Sequence, residues 1–187
     1  MLNERGVMQG AFILSHTFSP PSVLGLRLRP FSPWHGLLLE AAGSPFICGG
    51  GRTDADDLIL GVWICTKSYR DGFRAATDVA AARKWGAKTK RFNLAAELLA
   101  FNSYLDASFT TPEYWRSGDG SSVKAPYFWH LAYFAMHRLH LTEADAWDYP
   151  IAKISCYQAC AAELGGNSNL MSADEIKGIE TLKAESK

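Results

Sequence analysis

The chain has 187 residues, 48% of them hydrophobic and 20% charged, with 19 Lys and Arg balanced by 19 Asp and Glu. That balance excludes an intrinsically disordered chain, and only 16 Gly and 8 Pro exclude a collagenous or low-complexity one. A chain this long buries roughly 70% of its unfolded surface, so it can hold a core without a disulfide or metal staple.

Residues 1–31 are punctuated by Ser19, Pro20, Pro21, Gly25 and Pro30, which predicts an extended, mobile arm. Within it Leu24, Leu26 and Leu28 alternate with Gly25, Arg27 and Arg29, the period of one short edge strand. From Ser32 the pattern is helical. Ser32 is an N-cap, Pro33 fits the first helical position, and Trp34, Leu37, Leu38 and Ala41 recur until Gly43. Thr53 with Asp54, Asp56 and Asp57 starts a second helix, whose stripe is Ala55, Leu58, Ile59, Val62 and Trp63. A third helix is expected within 69–85 and a fourth over 93–105, where Leu94, Leu98, Phe101 and Leu105 share a side. Thr110, Thr111, Pro112 and the Ser/Gly-rich run at 117–122 predict a flexible loop over 110–124.

The fifth helix, 126–140, is apolar nearly all round, with Tyr127, Phe128, Trp129, Tyr133 and Phe134. Such a helix is either central to a core or part of an interface. A turn over 142–149 leads to Pro150, which opens a sixth helix to Leu164, with Trp147 as a buried anchor at its start. Ser172 and Glu175 form a capping box for a last, charged helix. The expected fold is all-α: about six helices in a single domain over 32–187, with 1–31 as the arm.

The chemistry-bearing residue types do not assemble into a catalytic set. His130, His137 and His140 would share a face of the fifth helix, yet the nearest carboxylates, Glu143 and Asp145, lie beyond its end, and H-E-x-x-H is absent. Neither Cys156 with Cys160 nor Cys48 with Cys65 has the C-x-x-C spacing of zinc or redox sites, so buried structural thiols are expected. Gly49, Gly50 and Gly51 lack the Lys-Ser/Thr ending of a phosphate loop and precede repelling aspartates. No metal, cofactor or catalytic residue is therefore assigned. Ordinary cysteine usage, the short apolar run at 11–14 and the interrupted run at 125–136 are the pattern of a cytoplasmic chain with no membrane partner.

Charge is unevenly placed. Residues 67–91 carry eight basic and two acidic side chains, a local charge of +6, whereas 92–187 carry −5. With no nucleic-acid module in the sequence, the basic run reads as a steering surface for an acidic protein partner or for self-association. The expected partner-binding residues are Tyr127, Phe128, Trp129, Tyr133 and Phe134 on the aromatic helix, with Arg83, Lys84, Lys88, Lys90 and Arg91 on the basic run.

Three segments resemble one protein family. The first is Arg27-Leu-Arg-Pro30, then Trp34-His-Gly-Leu-Leu-Leu-Glu40 and Gly43-Ser-Pro-Phe46. The second is Asp56-Asp57-Leu-Ile-Leu with Trp63-Ile-Cys65. The third is Ala146-Trp147-Asp-Tyr-Pro150, Tyr157, Glu163-Leu-Gly165 and Met171-Ser172-Ala-Asp-Glu175. Together they resemble the tail assembly chaperones of tailed bacteriophages and prophages, over about half the chain and without a counterpart for the basic run or the aromatic helix. The resemblance implies a helical, non-enzymatic protein that binds tape-measure or tail-tube subunits before assembly. A virion or tail-completion structural protein is the competing reading, and a metal-dependent enzyme built on the histidine face is the third.

Overall fold

A computed structural model describes residues 10–49, 53–89, 92–116, 125–166 and 168–185. The described residues are mostly helical, as expected, but the helices number eleven rather than about six. The excess comes from short pieces that the periodicity merges or misses.

The first such piece lies in the expected arm. Helix α1 (Gly10–Thr17) packs along the much later helix α10 (Ile151–Leu164), and Phe18 stacks on Tyr104 with ring centroids 6.4 Å apart. Strands β1 (Ser22–Val23) and β2 (Leu26–Arg27) then pair as a tight antiparallel hairpin. Its two central residues, Leu24 (φ 50°) and Gly25 (φ 79°), both lie at positive φ, the geometry of a type I′ turn. Leucine rarely adopts that conformation; here its N–H donates to the Glu97 carboxylate at 2.6 Å. Val23, Leu24, Leu28 and Phe31 are core residues. Residues 10–31 are thus a docked helix and hairpin, not an extended arm, because the Pro and Gly punctuation marks a turn that distant residues hold down; residues 1–9 lie outside the described residues.

Helix α2 (Pro33–Ala41) starts at Ser32 as read, and a single turn, α3 (Pro45–Cys48), follows. Helix α4 (Ala55–Cys65) starts one residue later than expected, because Asp54 and Asp57 cap each other: the Asp57 N–H donates to Asp54 Oδ1 (2.9 Å) and the Asp54 N–H to Asp57 Oδ2 (3.0 Å). The third expected helix is broken. A 3-10 turn at Tyr69–Asp71 leads into α5 (Gly72–Ala76), and Asp78 re-caps α6 (Val79–Gly86) by accepting the Ala81 N–H at 2.9 Å.

Helix α7 (Leu94–Ser108) is capped by Asn93. The expected 110–124 loop contains strand β3 (Tyr114–Arg116), which pairs antiparallel with β4 (Ser168–Leu170); 117–124 lie outside the described residues. Helices α8 (Tyr127–Arg138), α9 (Glu143–Asp148), α10 and α11 (Ala173–Glu185) complete the chain. One apolar cluster runs from Val23 to Ile154, with Phe31, Phe101 and Tyr104 among its most deeply buried side chains. Among the described residues no helix is long and apolar enough to cross a membrane.

Candidate interaction surface

Helix α8 packs against α2, α9 and α10, and this splits its aromatic residues into two groups. Phe128 is only 4% exposed, and an added Cβ on Gly36 would overlap its ring: α2 lacks a side chain there, and the phenyl fills the space. Phe128 therefore belongs to the core and not to the expected partner surface. Leu131, Ala132 and Ala135 share its buried side, while Phe134 is half-buried. Tyr127, Trp129 (52% exposed) and Tyr133 (58% exposed) face solvent.

The exposed edge stands on a rigid aromatic base. Trp129 meets Trp147 edge to face, with centroids 5.0 Å apart, and Trp147 in turn stacks parallel to Tyr69 and meets Trp34 at 6.3 Å. Trp147 is fully buried, the position expected for the anchor that precedes α10. The Tyr69 hydroxyl donates to Glu143 at 3.1 Å, and this bond, more than burial, pushes the phenol above its ordinary range. Tyr133 lies on the His137 ring, 4.0 Å between centroids.

Of the expected basic residues, Arg83 and Lys84 lie on α6, which packs on α4. Two basic side chains of the 67–91 run pair with carboxylates outside it, Arg70 with Asp145 (2.9 Å) and Arg83 with Asp56 (3.5 Å), while Lys67 lies 4.0 Å above the Trp63 ring. Lys84 and Lys88 are exposed beside them; Lys90 and Arg91 lie outside the described residues. Among the described residues these basic side chains are on other elements than the aromatic ones of α8.

The three-histidine face is also broken up. Helix α8 ends at Arg138, and His140 takes positive φ (54°) past the helix, where Leu141 N–H returns to the Ala135 carbonyl at 3.3 Å. His130 is hydrogen-bonded to Gln158 (3.3 Å). Among the described residues no three His, Cys, Asp or Glu side chains come together as a metal site. Of the thiols, Cys65 and Cys156 are buried as expected, but Cys48 is exposed. Burial pushes the Cys65 thiol far above its ordinary range.

The polar residue that the sequence reading missed is His35. It is wholly buried at the third position of α2, where its Nδ1 accepts the Ser32 N–H (3.1 Å) and its Nε2–H donates to the Lys67 carbonyl (2.7 Å). The signal was present as Ser-Pro-Trp-His, a capping box with imidazole in the place usually held by Glu or Gln. Burial, aided by the charge of Arg29, lowers its pKa from 6.5 to about 4, so the ring is neutral.

No protein-family model matches the chain, and neither curated proteins nor solved structures give a significant match.

Proposed function

We propose that this protein is a non-enzymatic, tail assembly chaperone-like protein of a bacteriophage or prophage, acting in the bacterial cytoplasm. Its Trp129 and Tyr133 edge would bind a helical segment of a tape-measure or tail-tube subunit. The observation that carries the binding role is that edge: two large aromatics, more than half exposed, Trp129 packed edge to face on buried Trp147 and Tyr133 in ring contact with exposed His137. Exposed Trp and Tyr on a fixed base are the residues that most often dominate binding energy at interfaces.

The reading as a tail assembly chaperone rests on the resembling segments, two of which meet in the fold. Residues 27–46 and 146–150 are far apart in sequence, yet Arg29 reaches Asp148 at 4.0 Å, Ile151 N–H donates to the Phe31 carbonyl at 3.0 Å, and Trp34 meets Trp147. These two of the resembling segments thus pack against each other.

The test is co-expression with tape-measure and tail-tube proteins of a tailed bacteriophage. The expected result is a co-purifying complex that is lost in the Trp129→Ser, Tyr133→Ser variant while its helical circular dichroism is kept. A complex that survives the double substitution refutes the assigned edge. Mass spectrometry of purified particles completes the test: a chaperone is absent from them, and finding the chain there would assign it to the virion instead.

A further inference from the structure

A cavity of about 390 Å³ lies between α4, the end of α6, the start of α7 and the tip of the β1–β2 hairpin, and no described residue of α8 lines it. That volume falls within the roughly 300–1,000 Å³ of small-molecule sites. The cavity is a recess and not a flat face: Leu24 and Thr89 line it although they are only 4% and 8% exposed. Ile59 forms part of the wall, seated against Gly86, where a Cβ would stand 2.7 Å from the isoleucine Cδ1. Phe92 forms another part, with its ring against the backbone of Gly25.

The hairpin tip is built in a way that a turn alone does not require. Asn or Gly takes the first central position of a type I′ turn with little strain. Here that position is Leu24, at φ 50°, with its N–H secured by Glu97 at 2.6 Å. The side chain so placed is apolar lining for the cavity. Sparsely populated backbone of this kind clusters at ligand clamps, where the surrounding structure holds it.

The polar side chains of the lining are already engaged. The Thr89 hydroxyl donates to the Gly86 carbonyl at 2.7 Å, and Arg83 on α6 pairs with Asp56 on α4 at 3.5 Å, both largely exposed and so at the rim. A charged ligand would have to part that pair or enter apolar surroundings with no unspent counter-charge, whereas an uncharged one leaves every bond intact. We propose that this cavity binds a small, uncharged, predominantly apolar molecule with the bulk of a few aromatic rings. The site goes beyond the proposed client contact and does not depend on it, because that contact uses the Trp129 and Tyr133 edge of α8.

Fluorescence titration of the full chain tests this without any client, so its result is separate from that of the chaperone reading. The probes are N-phenylnaphthylamine, which is neutral, and anilinonaphthalene sulfonate, which has the same ring body with an anionic group. The neutral probe is expected to saturate at one molecule per chain, and the sulfonate to bind at least about tenfold more weakly. Ala55→Trp and Ala87→Trp add bulk to the lining from exposed positions, so helical circular dichroism is kept while each weakens the neutral probe at least about tenfold. The proposal is overturned by a neutral probe that does not saturate, by a sulfonate that binds as tightly, or by binding that survives both substitutions. Loss of binding in Trp129→Ser, Tyr133→Ser with both cavity variants still binding would place the probe on the exposed edge and overturn it equally.

Discussion

Lowering the pH should destabilise this protein through one side chain. In the folded state His35 is neutral, with Nδ1 occupied by the Ser32 N–H and the Nε2–H spent on the Lys67 carbonyl; a proton added at Nδ1 would face a donor and have no water to hydrate the charge. Its pKa is lowered from 6.5 to about 4, chiefly by burial, whereas the unfolded chain takes up the proton near 6.5. Above pH 6.5 neither state binds it and the contribution is complete. As pH falls from 6.5 towards 4 the unfolded state binds up to one more proton than the folded state, so stability drops by up to about 1.4 kcal/mol per pH unit and by about 3 kcal/mol in all. That is a substantial share of the roughly 5–15 kcal/mol that holds a domain together. Urea unfolding at a series of pH values across this window reads the effect as a falling midpoint. His35→Gln is less stable at neutral pH, having lost part of the bridge, but should lack this slope and keep only the carboxylate titrations common to both chains. Parallel curves for variant and wild type across the window would show that His35 does not carry the acid sensitivity.

Two further substitutions or labels probe the core. Gly36→Ala should destabilise by about 1–3 kcal/mol even though alanine is worth about 1 kcal/mol in an open helix, since the new methyl overlaps the buried Phe128 ring; with Phe128→Ala in the same chain the sign reverses, and a neutral Gly36→Ala in chemical denaturation would mean α2 and α8 are not in this contact. Alkylation followed by mass spectrometry should label exposed Cys48 in the native protein and leave Cys65 untouched until unfolding, because burial both hides that thiol and suppresses its thiolate; equal labelling rates would reveal a local opening at the end of α4.

Local signals were legible. The starts of α2, α7 and α10 follow from Ser32 with Pro33, Asn93 and Pro150, since a cap acts within a few residues of itself, whereas 142–149, read as a turn, is helix α9. What sequence periodicity could not carry was any role decided by a residue far along the chain. Leu24 reads as part of a strand until Glu97 is seen holding its N–H, and Phe128 reads as an interface aromatic until Gly36 is seen beneath it. A charge count along the basic run leaves out partners in the same way: Asp56 and Asp145, outside it, pair with Arg83 and Arg70. The all-round apolar pattern of 126–140 names Trp129, Tyr133 and Phe128 alike, and only burial separates the exposed pair from Phe128.

The bond from Ile151 N–H to the Phe31 carbonyl, with Tyr69 N–H held by Asp148 at 2.7 Å and α1 lying on α10, imposes an order on synthesis. A ribosome adding about 5–20 residues per second takes roughly 6 to 24 s to travel from Phe31 to Ile151. Throughout that interval α1, the hairpin and α2 have emerged without the pieces that seal them, and Trp34 waits for Trp147. Such long-range closure slows the final docking step. A nascent chain stalled before α9 would carry an open apolar slot, so premature termination there should yield fragments cleared by proteases rather than stable shorter forms.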